Sequence, residues 1–201
     1  MSVILGYKSE DKIYLGADNR TVTTEDAFLR DNVRKILAIN NDVAVAFAGC
    51  YKSQMLFEMK MKRFKNNMDF RVEDALKCIK WIYKFCKVLW FKNFSKEILS
   101  IGSQFIVAGK NKKGDCCIYV VIISKGKLIK PLLKEWFIFP PYGADMDECC
   151  NIYIKNITKY PNSFVQRTIK NIAKNNKYIS SSGDIWTYDI KLGRSSIEHF
   201  D

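Results

Sequence analysis

Histidine is almost missing from this sequence. The single copy, His199, lies two residues before Asp201 at the end of the chain. Ser-His-Asp and Cys-His hydrolases transfer the proton of their nucleophile to a histidine that the fold places beside it. With only this residue to supply the base, the sequence argues against both classes.

Two other signatures are incomplete. The segment 109–114 has the glycine spacing of a phosphate-binding loop, but Asp115 and Cys116 follow where such a loop needs Lys and then Ser or Thr, so we interpret it as a hairpin tip. The seven cysteines include two adjacent pairs but no C-x-x-C spacing. This pattern favours reduced, mostly buried thiols over zinc ligands or disulfides.

The sequence shows neither a secretory signal nor an apolar run near the ~18 residues of a membrane helix. We therefore expect no membrane partner and a cytoplasmic location. Acidic residues are few: Lys and Arg outnumber Asp and Glu by 33 to 21, which gives a formal net charge of +12. Such a charge raises nucleic acid as a partner, but the lysines are spread over 59–97, 110–134 and 155–177. A solvated lysine face is the preferred interpretation.

One acidic group deserves a separate interpretation. Asp145, Asp147 and Glu148 together suggest a divalent cation, yet carboxylates also favour the first turn of a helix. Because a helical pattern follows directly, we assign them to the start of that helix.

The hydrophobic pattern predicts a run of strands followed by two helices. The same order is then repeated, and a final strand ends the chain. Predicted strands are 3–7, 12–17, 35–40, 43–49, 105–109, 116–124, 127–129, 136–139 and 185–190, and predicted helices are 52–66, 72–91, 145–157 and 162–175. Runs of strands followed by runs of helices indicate an α+β layered fold. With no repeat or linker, residues 1–201 are expected to form one domain.

Ser2 offers an alternative to histidine as a source of catalytic base. If the initiator methionine is removed, Ser2 becomes the N-terminus and carries a hydroxyl and a free α-amine on one residue. An α-amine has an ordinary pKa of about 7.7–8.0, which suits a general base. A small second residue is common in proteins, however, so Ser2 alone does not establish this chemistry.

Several blocks of the sequence resemble the proteasome β-subunit family, most closely its bacterial HslV branch. "LGADNR" places Asp18 sixteen residues after Ser2, "DNVRKI" places Lys35 in a block like "GNVKKV", and "AFAGC" followed by "LFE" matches a strand ending in "GFAGG" and its helix. Near the end, "SSGDIWTY" is similar to "AGDICIYT" and contains Asp184.

The resemblance implies a four-layer αββα sandwich, the fold of N-terminal-nucleophile hydrolases, and a threonine-type peptidase in which Ser2 replaces threonine. It also implies a role for each matched residue. Lys35 would lower the pKa of the α-amine, Asp18 would orient Lys35, and the Gly49 backbone N–H would stabilise the oxyanion. Asp184 matches an acidic residue of the family.

The family also implies a homo-oligomeric ring, stacked in pairs, that cleaves unfolded polypeptides supplied by an ATP-driven unfoldase. No cofactor is expected. The sequence does not decide whether an ion binds near the serine-rich loop at 180–182. One departure concerns the family's "GSGG" stretch, which aligns with "FPPYGA" at 139–144 and there lacks its serine. Ser181, or its neighbours Ser180 and Ser182, would have to supply that hydroxyl.

Two alternatives follow from these observations. The missing serine favours a catalytically inactive ring scaffold. The positive charge supports a third and weaker hypothesis, that this is a basic nucleic-acid-binding protein.

Overall fold

A computed structural model describes residues 2–22, 28–65, 67–141 and 143–201. Met1 therefore lies outside the described residues. The strands are β1 Ile4–Lys8, β2 Lys12–Asp18, β3 Thr21–Val22, β4 Phe28–Arg30, β5 Ile36–Ala38, β6 Val43–Gly49, β7 Ser103–Lys110, β8 Cys116–Ser124, β9 Lys127–Lys134, β10 Trp136–Phe139, β11 Gly183–Asp189 and β12 Arg194–Phe200. The helices are α1 Tyr51–Met61, α2 Val72–Val88, α3 Asn93–Ile101, α4 Met146–Lys159 and α5 Phe164–Lys174, with a 3-10 turn at Lys62–Phe64.

The described strands form two five-stranded antiparallel sheets and a small β3–β4 hairpin. The first sheet has the order β10-β1-β2-β11-β12, and the second has the order β5-β6-β7-β8-β9. In the first sheet Ile4 pairs with Phe139 on one side and with Ala17 on the other. The start of the chain is therefore held inside the sheet rather than at its edge.

Three hydrophobic clusters separate four layers. One lies between the two sheets and includes Leu15, Ala46 and Trp186. A second joins the second sheet to α1, α2 and α3, and a third joins the first sheet to α4 and α5. The layers thus follow the order αββα, and the predicted fold class is confirmed.

Local signals account for most of the predicted elements. Asp145 caps α4, where its side chain accepts hydrogen bonds from the backbone N–H groups of Asp147 and Glu148. This confirms the assignment of the acidic group to a helix start. Lys110 to Asp115 forms the β7–β8 hairpin tip, in which Asn111 Oδ1 accepts from the backbone N–H groups of Lys113 and Asp115.

Three parts of the fold were not predicted from the sequence: the β3–β4 hairpin, helix α3 and strand β12. Strand β9 is also longer than the predicted 127–129. The seven cysteines are all free, and five are buried, as expected for reduced thiols. None of the described helices is long and apolar enough to cross a membrane.

Candidate active site

Asp18 ends strand β2 at a fully buried position and organises the surrounding backbone. Its Oδ1 atom accepts a hydrogen bond from the backbone N–H of Val3 at 2.9 Å and from Lys35 Nζ at 3.0 Å. Its Oδ2 atom accepts from the backbone N–H groups of Arg20 at 3.0 Å and Ser180 at 3.4 Å. One carboxylate therefore connects Val3, the residue after Ser2, with Lys35 and with the loop that contains Ser180.

Lys35 lies just before strand β5, and its residue surface is only 3 % exposed. Its ammonium donates to Asp18 Oδ1 and to the backbone carbonyl of Arg20. Burial lowers the pKa of Lys35, while the negative charge of Asp18 opposes that decrease. The result is a desolvated cation that stays paired but gives up its proton more readily than a surface lysine.

Ser2 and Lys35 line the same small cavity, which has a volume of about 30 Å³. A space of this size accommodates little more than a water molecule. Its lining consists of Ser2, Thr21, Lys35, Phe47, Ala48, Gly49, Cys50, Tyr51 and Gln54. Larger hollows exist elsewhere on the molecule, but the predicted nucleophile, lysine and oxyanion glycine meet here.

Gly49 ends strand β6 with a φ of +94°, a backbone conformation that side chains disfavour. A Cβ atom at this position would lie 2.6 Å from the carbonyl oxygen of Gly102. Both the backbone conformation and the close contact require glycine. An exposed backbone beside Ser2 is what an oxyanion-stabilising N–H needs.

Cys50 places a thiol in the lining of the same cavity as the Ser2 hydroxyl. It is 5 % exposed, and burial raises the pKa of its thiol. Because the thiolate is the reactive form of cysteine, a raised pKa leaves Cys50 poorly suited to act as a nucleophile. Ser2 is therefore the better candidate of the two.

Asp184 lies on β11, where it pairs with Ala17, but it does not line the cavity. Its Oδ1 atom lies 3.1 Å from Nδ1 of His199, which occupies the neighbouring strand β12. The same histidine nitrogen lies 3.3 Å from Nδ2 of Asn19, and Nε2 lies 3.2 Å from an Asp201 carboxylate oxygen. The hydrogen bond to Asp184 is the main cause of a raised pKa at His199. His199 thus contacts Asp184 without entering the cavity.

The late serine loop contacts Asp18 through Ser180. Ser180 is 6 % exposed, its backbone N–H donates to Asp18, and its hydroxyl lies 2.8 Å from that of Ser182. Ser181 is exposed. The carbonyl of Ser182 accepts from the backbone N–H of Asn19. The structure therefore brings Ser180 and Ser182 to the site, and Ser181 as a source of the hydroxyl stays a prediction.

The other sequence predictions for the site are placed as follows. Ser2, Asp18, Lys35 and Gly49 come together, although their catalytic roles stay predictions. Sequence reasoning missed Thr21 in the cavity wall and the contact between Asp184 and His199. Within 2–22, 28–65, 67–141 and 143–201, no three His, Cys, Asp or Glu side chains group as a metal site would require. The expectation of no cofactor is likewise untested.

A family model described as "Proteasome subunit" matches residues 2–131. The chain belongs to the proteasome subunit family. The matched range includes all nine described residues that line the cavity. No curated protein matches the chain.

Family membership establishes function at a coarse level. Proteasome subunits are hydrolases of the N-terminal-nucleophile type, and they generally assemble into oligomeric rings. The nucleophile, the activity and the assembly of this particular chain require their own argument.

Proposed function

We propose that this protein is a peptidase whose nucleophile is Ser2, exposed as the N-terminus when Met1 is removed. The observation that carries the proposal is the double role of Asp18 Oδ1. That single atom holds both the backbone N–H of Val3 and the ammonium of Lys35. The first peptide after Ser2 and the buried cation are thereby fixed relative to each other.

The reaction follows from the properties of these groups. The hydroxyl oxygen of Ser2 attacks the carbonyl carbon of a peptide bond, and its proton passes to the α-amine of the same residue. The Lys35 ammonium stabilises the developing negative charge on the serine oxygen, and the Gly49 N–H stabilises the carbonyl oxyanion. The C–N bond then breaks, and the leaving amine takes the proton from the α-amine. Water, deprotonated by the α-amine, hydrolyses the resulting ester and frees Ser2.

The proposed substrates are unfolded polypeptides cleaved inside a chamber. This part rests on the ring-forming character of the family. We propose a homo-oligomeric ring, stacked in pairs and supplied by an ATP-dependent unfoldase, in the cytoplasm. Light scattering on the purified protein tests the ring directly, since a monomeric mass at micromolar concentration argues against it.

The nucleophile is tested by mass spectrometry and covalent labelling. The intact mass should show loss of Met1, and a peptide inhibitor that reacts with N-terminal nucleophiles should add to Ser2. Ser2→Ala should abolish both labelling and peptide hydrolysis, whereas Ser2→Thr should retain or raise hydrolysis because it restores the family's nucleophile. Retention of Met1 on the assembled protein would overturn the proposal.

An inactive ring scaffold is the second candidate. It is favoured by the segment 139–144, which keeps only Gly143 of the family's "GSGG" stretch and has prolines in place of flexible backbone. Gly143 has a φ of +76°, and Ala144 donates its backbone N–H to Pro141. A scaffold would form the ring yet leave Ser2 unlabelled, so the two measurements together separate the candidates.

A further inference from the structure

A basic groove runs between helices α4 and α5 on the outer face of the first sheet. Its volume is about 500 Å³. Four cationic side chains line it together with polar and aliphatic residues: Lys155, Lys159, Arg167 and Lys174 among Ile152, Asn156, Tyr160, Asn171 and Asn175. Among the described residues, none of the groove lining is acidic. The groove is separate from the Ser2 cavity and shares no residue with it.

The positive charges are not neutralised by the helices that carry them. The acidic residues of α4, Asp147 and Glu148, are confined to its first turn, and α5 contains no acidic residue. Within the described residues none of the four cations forms an ion pair. A groove with four unpaired cations attracts anions strongly, because the charges add at its centre.

Arg167 is held in a fixed position at one end of the groove. Its guanidinium lies 4.0 Å from the ring centroid of Tyr160, and its Nε donates to Ser163 Oγ at 3.1 Å. The planar guanidinium is thus oriented before any ligand arrives, which suits bidentate contact with phosphate oxygens. Beneath the groove, buried Asn156 donates to Thr168 and ties the two helices together.

The cations form two short rows. Lys155 and Lys159 are four residues apart on α4, and Arg167 and Lys174 are seven residues apart on α5. At ~1.5 Å per residue, the α5 row extends about 10 Å. A row of this length matches an extended anionic chain better than a single small anion. Tyr160, the one aromatic residue in the described lining, carries Arg167 on one ring face, so at most the other face is left for a stacked base.

From these observations we infer that the groove between α4 and α5 binds a linear chain of phosphate groups, of the kind found in inorganic polyphosphate. The inference does not depend on the peptidase activity proposed above. A polyanionic ligand would supply the negative charge that the described lining of the groove lacks.

Fluorescence anisotropy of the purified full chain with end-labelled short-chain polyphosphate tests the inference. Binding should weaken steeply as salt is raised, since several phosphates are neutralised at once. Lys155→Glu with Lys174→Glu should raise the Kd by tenfold or more, a loss of ~1.4 kcal/mol per tenfold. Arg167→Lys should weaken binding as well, because lysine cannot reproduce the planar contact.

Lys80→Glu with Lys84→Glu is the matched control. Both lysines are exposed on α2, so this double variant changes the net charge by the same amount at a distant surface. An equal loss of binding in the two double variants would show attraction to overall charge only and would overturn the inference. Absence of binding by the unaltered protein, or tighter binding of single-stranded DNA with the same number of phosphates, would overturn it too. Circular dichroism of each variant establishes that the helices are intact.

Discussion

Lys35 Nζ lies 3.0 Å from Asp18 Oδ1 at a position where both side chains are almost completely buried. Buried ion pairs of this kind contribute little net stability, but loss of one partner leaves an unpaired charge in a medium of low dielectric. The pair is therefore better understood as a means of holding a cation beside Ser2. Its removal should affect both the reaction and the fold.

Lys35→Ala should abolish peptide hydrolysis and lower the free energy of unfolding by about 3–5 kcal/mol, because the Asp18 carboxylate stays buried without its counter-charge. Hydrolysis assays and urea denaturation measure the two effects separately. The double variant Ser2→Ala with Lys35→Ala should be little less active than either single variant, since residues of one catalytic unit are strongly non-additive.

Lys52→Ala provides the control for a lysine that pairs with a carboxylate, Glu97, at the surface. It should leave turnover unchanged. If Lys35→Ala leaves turnover intact on a substrate that the unaltered protein cleaves, the proposed mechanism is wrong.

Gly49→Ala should impair both stability and hydrolysis, because the new methyl group meets the Gly102 carbonyl oxygen at 2.6 Å. Gly114→Ala is a close control: Gly114 has a φ of +89° against +94° at Gly49, yet nothing lies within 4 Å of its added Cβ. The control should cost only the backbone strain of about 1–2 kcal/mol and leave activity unchanged. Equal losses of activity in the two variants would count against an oxyanion role for Gly49.

His199 should make stability depend on pH through its contacts with Asp184 and Asp201. Hydrogen bonding to Asp184 raises the pKa of His199 in the folded protein. Its contribution is therefore complete below the unfolded pKa of about 6.5 and is lost as the pH rises through the higher folded pKa. The difference in Tm between the unaltered protein and His199→Gln should be largest in mild acid and shrink towards alkaline pH. A difference that grows with pH would contradict this assignment.

Asp145→Ala should lower the free energy of unfolding by about 1 kcal/mol, because α4 loses the side chain that caps its first N–H groups. Asp147→Ala removes only a favourable charge near the helix start and should cost less. Thermal unfolding of both variants compares them. An increase in the Tm of the unaltered protein on adding Mg²⁺ or Ca²⁺, absent from Asp145→Ala, would instead support a cation site.

The strands and helices that were predictable have a buried face along a regular period. Strand β2 buries Ile13, Leu15 and Ala17, and the alternation of apolar residues indicates it directly. Strand β12 has no such face: it lies at a sheet edge, is largely exposed, and even Ile197 is 44 % exposed. Helix α3 has only nine residues and buries only Ser95 and Ile98, so its buried face is too short to show a regular period.

The site shows the same division between local and distant information. Asp18, Lys35 and Gly49 could be located because the sequence blocks that contain them resemble blocks of the proteasome family. The contact between Asp184 and His199 depends on the pairing of β11 with β12, and no local sequence pattern predicts that pairing. Ser180 reaches Asp18 across 162 positions of the chain, and only the fold shows that it, rather than Ser181, makes this contact.

The closed hairpin tip between β7 and β8 has a practical consequence for labelling. A fusion before Ser2 would block the cavity. At Gly114, in contrast, an added Cβ atom would have no neighbour within 4 Å. The tip is stabilised from within, because the Asn111 side chain accepts hydrogen bonds from the backbone of Lys113 and Asp115. A short epitope or a fluorophore-bearing peptide inserted beside Gly114 would therefore report on assembly while leaving both ends of the chain unmodified.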